Sequence, residues 1–181
     1  MRVAYRVRQF FAALWVSSPV EEDALRPYLS AAQVVLFQTM PATEQRHALA
    51  VLRTLEQRGY SEPPLAQAAL LHDVGKVVMP TARGKHGQGI TVWHRVVAVL
   101  LEAFGPGLLE RVAADEPGSW RFPLYVLVHH AQRGAEMAAA AGADPLAVAL
   151  IRWHHGCPED GGLDAHGRAL LAALRDADEQ N

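Results

Sequence analysis

No stretch of this 181-residue chain alternates apolar and polar residues as a half-buried strand would. Apolar residues recur instead at helical spacing, in Ala-, Leu- and Arg-rich segments broken by glycine and proline, so the chain must bury its surface by packing helix on helix. The spacing predicts helices near 4–15, 21–38, 43–58, 64–74, 91–103, 106–114, 122–141, 145–155 and 166–179. Prolines 41, 64, 106 and 145 stand near helix starts, where a missing N–H does no harm, and Asp144-Pro145 reads as an N-cap with a first-turn proline. Gly59, Gly75, Gly142 and Gly156 fall just past helix ends and suit left-handed C-caps. The longest non-helical stretches, 79–89 and 157–165, are rich in glycine. With no repeat, low-complexity tract or linker, the expectation is one all-α bundle of about 7–9 helices across residues 1–181.

Composition narrows the function classes. A formal charge of −2 gives no basic footprint for nucleic acid. The single cysteine, Cys157, excludes an internal disulfide and fits a reducing compartment. Arginines precede a short apolar run at the start, but no A-x-A-like cleavage site follows and no stretch has the roughly 20 apolar residues of a membrane span. A cytoplasmic protein without a membrane or nucleic-acid partner is expected, its oligomeric state open.

The histidines carry the chemistry. His47 shares a stripe with Val51 and Leu55. The run "ALLHDVGK" ends an apolar helix in His72 and Asp73, whose polar atoms need partners if buried. His130 lies four residues before Gly134, on the same helical face. His154 and His155 follow the apolar Leu150 and Ile151. Leu171, Leu174 and Asp178 keep the spacing i, i+3, i+7, so Asp178 continues an apolar face and Asp176 falls off it. Any one of these could be a hydrogen-bonded core residue. Convergence of five such segments is how helical proteins build metal centres from nitrogen and oxygen ligands. Spacing alone leaves both readings open.

The order of these motifs resembles the HD superfamily of metal-dependent phosphohydrolases: a histidine (His47 in "QRHALAVL"), an adjacent His-Asp pair (His72 and Asp73 in "LLHDVGK") and a late aspartate (Asp178 in "LRDADE"). The resemblance covers roughly residues 43–179, which would form the metal-binding core, with 1–42 as N-terminal helices packed on it. The middle of the chain resembles the subset with extra histidines for a second ion: "HHAQRGAEM" selects His130 over His129, and "ALIRWHHG" supplies His154 and His155. It departs from the cyclic-di-GMP phosphodiesterase branch, since "HHGCPEDGGLDAHG" lacks the Gly-Tyr-Pro signature.

What the resemblance implies is hydrolysis of a phosphoester or phosphoanhydride of a small, nucleotide-like substrate by metal-activated water. The cofactors would be divalent ions, two of them, with iron or manganese favoured and zinc or magnesium as alternatives. Asp73 would bridge the ions, His47, His72 and Asp178 completing one site and His130, His154 and His155 the other. Lys76 and Lys85 are the only lysines among seventeen basic residues and both follow the His-Asp pair. Lys76 would orient the substrate phosphate, or else cap carbonyls of the preceding helix. Lys85 lies in "TARGKHGQG", either a basic lid or a surface loop. A diadenosine-tetraphosphate-type or cyclic-dinucleotide hydrolase is a variant of this reading. A module that binds metal or nucleotide without turnover is its competitor.

Overall fold

A computed structural model describes residues 20–77, 90–105, 107–156 and 162–181. The described residues form eight α-helices and no strand: α1 (Ala31–Gln38), α2 (Ala42–Gln57), α3 (Pro63–Leu71), α4 (Val92–Phe104), α5 (Leu108–Val112), α6 (Phe122–Ala140), α7 (Pro145–Trp153) and α8 (Ala165–Gln180), with 3₁₀ turns at Glu22–Ala24 and Val74–Lys76. The chain is therefore all-α, as its periodicity predicts. The helix expected at 4–15 lies outside the described residues.

The segment 21–38 is broken rather than continuous. Pro27 brings no N–H to a helical ladder, and Ser30 starts α1 with a reciprocal capping box, its hydroxyl accepting from Gln33 N while Gln33 Oε1 accepts from Ser30 N. Asp144 caps α7 through Leu146 N at 2.7 Å, and Asp164 caps α8 through Gly167 N at 2.7 Å.

The main core joins Leu25, Leu29 and Phe37 to the inner faces of α2, α3, α6, α7 and α8. A second, smaller core lies where α4 and α5 pack on the first half of α6 through Ala98, Leu109 and Leu124. At about 28 Å, α6 is long enough to belong to both.

Of the four glycines expected at left-handed C-caps, Gly59 and Gly142 take positive φ (87° and 73°), whereas Gly75 and Gly156 do not. Gly75 serves a different purpose. A Cβ there would stand 1.9 Å from the His130 carbonyl oxygen and 2.5 Å from the Gly134 N, so the 74–76 turn crosses α6 backbone against backbone.

Candidate metal centre

The bundle delivers its histidines from helix ends as much as from helix faces. His47 projects from the middle of α2 and His130 from α6. His72 follows α3 by one residue, and its N–H still donates to the Ala68 carbonyl at 2.8 Å; Asp73 opens the 3₁₀ turn. His154 and His155 lie just past α7. The sequence reading placed these four inside helices. Turn geometry instead lets adjacent residues in each pair reach the same cage, which successive positions on a helix do not readily do.

Three imidazoles are oriented alike. His72, His130 and His154 each place Nδ1 on the carbonyl three residues earlier, Ala69 at 2.9 Å, Leu127 at 2.6 Å and Ile151 at 2.6 Å. A carbonyl can only accept, so each Nδ1 carries the proton and each Nε2 is turned inward. Those inward atoms converge on Asp73, from which they stand 3.6 Å (His72), 3.8 Å (His130) and 3.9 Å (His154). Asp73 divides its oxygens, Oδ2 toward His72 and Oδ1 toward His130 and His154.

Two ligand groups flank that carboxylate. In each of the sets His47–His72–Asp178 and His130–His154–His155, one ligand atom per residue lies within 4.8 Å of the others. His47 Nε2 meets Asp178 Oδ1 at 2.8 Å, and His72 Nε2 lies 3.5 Å from the same oxygen. Contacts between neighbouring rings run unbroken from His47 through His72, His154 and His130 to His155. Asp178 faces this cluster, whereas Asp176 turns outward to Arg58 at 2.8 Å. Lys76 Nζ donates to Asp73 Oδ2 at 2.6 Å, so its partner is the carboxylate rather than a helix-end carbonyl. Lys85 and His86 lie outside the described residues. His129 packs on Tyr125, His94 belongs to the cap of α4, and His166 is exposed.

The donor set fits a cation. His72 Nε2, His130 Nε2, His154 Nε2 and Asp73 Oδ1 are buried and have no hydrogen-bond partner. Buried polar groups ordinarily find one, and leaving each unpaired costs about 1–3 kcal/mol. Here lone pairs face lone pairs, which is costly unless a positive charge sits between them. Imidazole nitrogens with carboxylate oxygens suit divalent transition metals. The described residues can therefore hold a metal ion, and the split carboxylate of Asp73 touches both candidate groups.

Electrostatics agree with that demand. Burial pulls His72 down, but Asp73 and Asp178 outweigh it and hold its pKa above the ordinary value. Burial opposes the ionised forms of both carboxylates too, yet His72 and Lys76 hold Asp73, and His47 and His72 hold Asp178, well below the usual range. In the other group burial dominates. It lowers His130 to about 4 and depresses His154 and His155, leaving neutral rings at pH 7.

The metal-stripped protein should lose stability as pH falls below 6.5. Unfolded histidine takes up its proton near pH 6.5, whereas His130 waits until about 4 and His154 and His155 are delayed in the same direction. Between those limits the unfolded state binds more protons, so stability falls as pH falls. His72 has the opposite sign, and its contribution is lost as pH rises above 6.5. With three depressed rings against one raised, thermal melts at pH 7.5, 6 and 5 should show a declining Tm, and a flat profile would contradict the assignment.

Arg175 was not singled out by its sequence context. Standing one turn before Asp178 on α8, it donates from Nε to the His154 carbonyl at 3.1 Å and from Nη2 to the carbonyls of Trp153 and Gly156. These bonds satisfy the carbonyl end of α7 and tie the His154–His155 turn to the helix that bears Asp178. The only signal in the sequence was the i, i+3 relation to Asp178. Arg175→Met should leave the fold intact while weakening metal affinity about 10–100-fold, the usual effect of removing a group that orients ligands. Metal titration followed by tryptophan emission would measure it, and unchanged affinity would remove Arg175 from the account.

Comparison with known proteins adds no relative: no family model, no curated protein and no solved structure matches this chain. Among the described residues no helix is long and apolar enough to cross a membrane.

Proposed function

We propose that this protein is a metal-dependent phosphohydrolase acting on a small phosphorylated, nucleotide-like substrate. One observation carries the reading: Asp73 lies between two three-residue ligand groups, with buried acceptor atoms turned toward it from both sides. His47, His72 and Asp178 would hold one ion, His130, His154 and His155 the other, and Asp73 would contact both. A divalent pair supplies Lewis acidity toward a phosphoryl oxygen and an acidified water as nucleophile. The resemblance of the motif order to HD phosphohydrolases supports the same reaction class.

The chain's own residues supply the rest. Nδ1-to-carbonyl bonds fix three ring planes before any ligand arrives, so little ordering remains to be done on binding. His155 is exposed and His47, Asp178 and Lys76 are partly exposed, whereas His72, Asp73, His130 and His154 are buried, so the cluster opens to solvent at those four side chains. From there the Lys76 ammonium can exchange Asp73 for a substrate phosphate as a mobile point charge. Neither a serine nor a cysteine nucleophile is required.

Anaerobic purification, metal analysis and a hydrolysis screen over phosphomonoesters, phosphodiesters and nucleotides test the proposal. Bound metal and a turnover abolished by His72→Ala are expected. Metal without turnover on any substrate class would replace the enzyme with a binding module.

A further inference from the structure

Helix α4 is apolar over much of its circumference, yet only part of that apolar surface is covered. Ala98, with Val97 and Leu101, packs on α6. The other side exposes Trp93 (76%), Val96 (40%), Val99 (65%), Leu100 (49%) and Phe104 (82%). Residues 93, 96, 100 and 104 keep the spacing i, i+3, i+7, i+11 and so form one continuous stripe. An exposed apolar patch of this kind marks a contact surface.

We propose that a second copy of this chain covers α4, as an antiparallel α4–α4 pair about a two-fold axis. Two observations select that occupant. The stripe is self-complementary about a centre near residues 98–99, which sets Trp93 against Phe104 of the second copy and Val96 against Leu100. Large residues meet across both ends, as a closed isologous contact requires. The area also suits a dimer: the exposed parts of these five side chains amount to about 600 Å² per copy, so on the order of 1,200 Å² for two, the size of a small specific interface. The ion pair between Arg95 and Glu44 of α2, at 2.5 Å, anchors the first turn of α4 to the main bundle, so the face is presented on a fixed element. This inference stands apart from the metal centre, none of whose ligands lies on α4.

Sedimentation velocity on the full chain tests it. The wild type should be a dimer with a Kd at or below about 10 µM, and Trp93→Glu or Phe104→Glu should weaken it at least about 100-fold with helicity unchanged by circular dichroism. Leu100→Cys in a Cys157→Ser background provides a second readout that does not depend on a charged variant: Leu100 lies on the stripe close to the axis, so a short bis-maleimide should yield a covalent dimer. A wild type that stays monomeric at about ten times that concentration would overturn the proposal, leaving residues 1–19 or a different partner as the cover. So would a dimer that survives both glutamates and gives no cross-link.

Discussion

Asp73→Ala is expected to empty both metal subsites at once and to lower hydrolysis by roughly three orders of magnitude or more, equivalent to about 4 kcal/mol of transition-state stabilisation. Asp73 has this reach because its two oxygens face different groups, Oδ2 toward His72 and Oδ1 toward His130 and His154. The same substitution should barely harm the metal-stripped fold. It removes a buried carboxylate with one unpartnered oxygen, and the Lys76 ammonium it leaves behind is 18% exposed and free to turn to water. Stripped Asp73→Ala should therefore melt within a few degrees of the stripped wild type. Saturating metal should raise the Tm of the wild type alone, since an ion that binds only the folded state stabilises it by mass action. A large Tm loss in the stripped variant would instead make Asp73 a structural residue, and the cage an ordinary buried polar cluster.

Gly75→Ala should have the largest effect on stability. The added methyl would meet two backbone atoms, the His130 carbonyl oxygen at 1.9 Å and the Gly134 N at 2.5 Å, neither of which can swing aside. The 74–76 turn must then lift from α6. We expect a loss of about 3 kcal/mol or more, the upper range for overpacking, and a Tm lower by about 6–12 °C for a chain of this size. Metal affinity should fall with it, because the turn carries Asp73 and α6 carries His130. Gly59→Ala is the control. Gly59 has φ 87° but nothing within 4 Å of its would-be Cβ, so only backbone strain of about 1–2 kcal/mol applies. Chemical denaturation of both variants decides between contact and conformation as the reason glycine is needed at 75, and equal losses would refute the backbone crossing.

Much of the architecture was legible in the sequence because it rests on local patterns. Helical periodicity and the cap residue Asp144 gave the class and several boundaries. The face carrying Leu171 and Leu174 pointed Asp178 inward and left Asp176 to Arg58. Local rules failed where tertiary contact decides. The segment 21–38 reads as one helix until Pro27 and the Ser30 cap are weighed against its apolar run. Gly75 reads as a C-cap until α6 lies across it. Arg175 carries no local signal of its role, which arises only where the end of α7 lies beside it. Nothing local says that His154 and His155 leave their helix just in time to face one cage, because that depends on which carbonyls Arg175 takes. The motif order suggested which imidazoles belong together, and the three inward Nε2 atoms supply the physical reason they could hold a cation.

Metal content is the most direct measurement. Protein purified anaerobically, without added chelator, should carry close to two divalent transition-metal ions per chain by inductively coupled plasma mass spectrometry, and His72→Ala and His130→Ala should each carry fewer. Well-folded wild type that holds no metal, and takes up none when iron, manganese or zinc is supplied, would contradict the account at its centre.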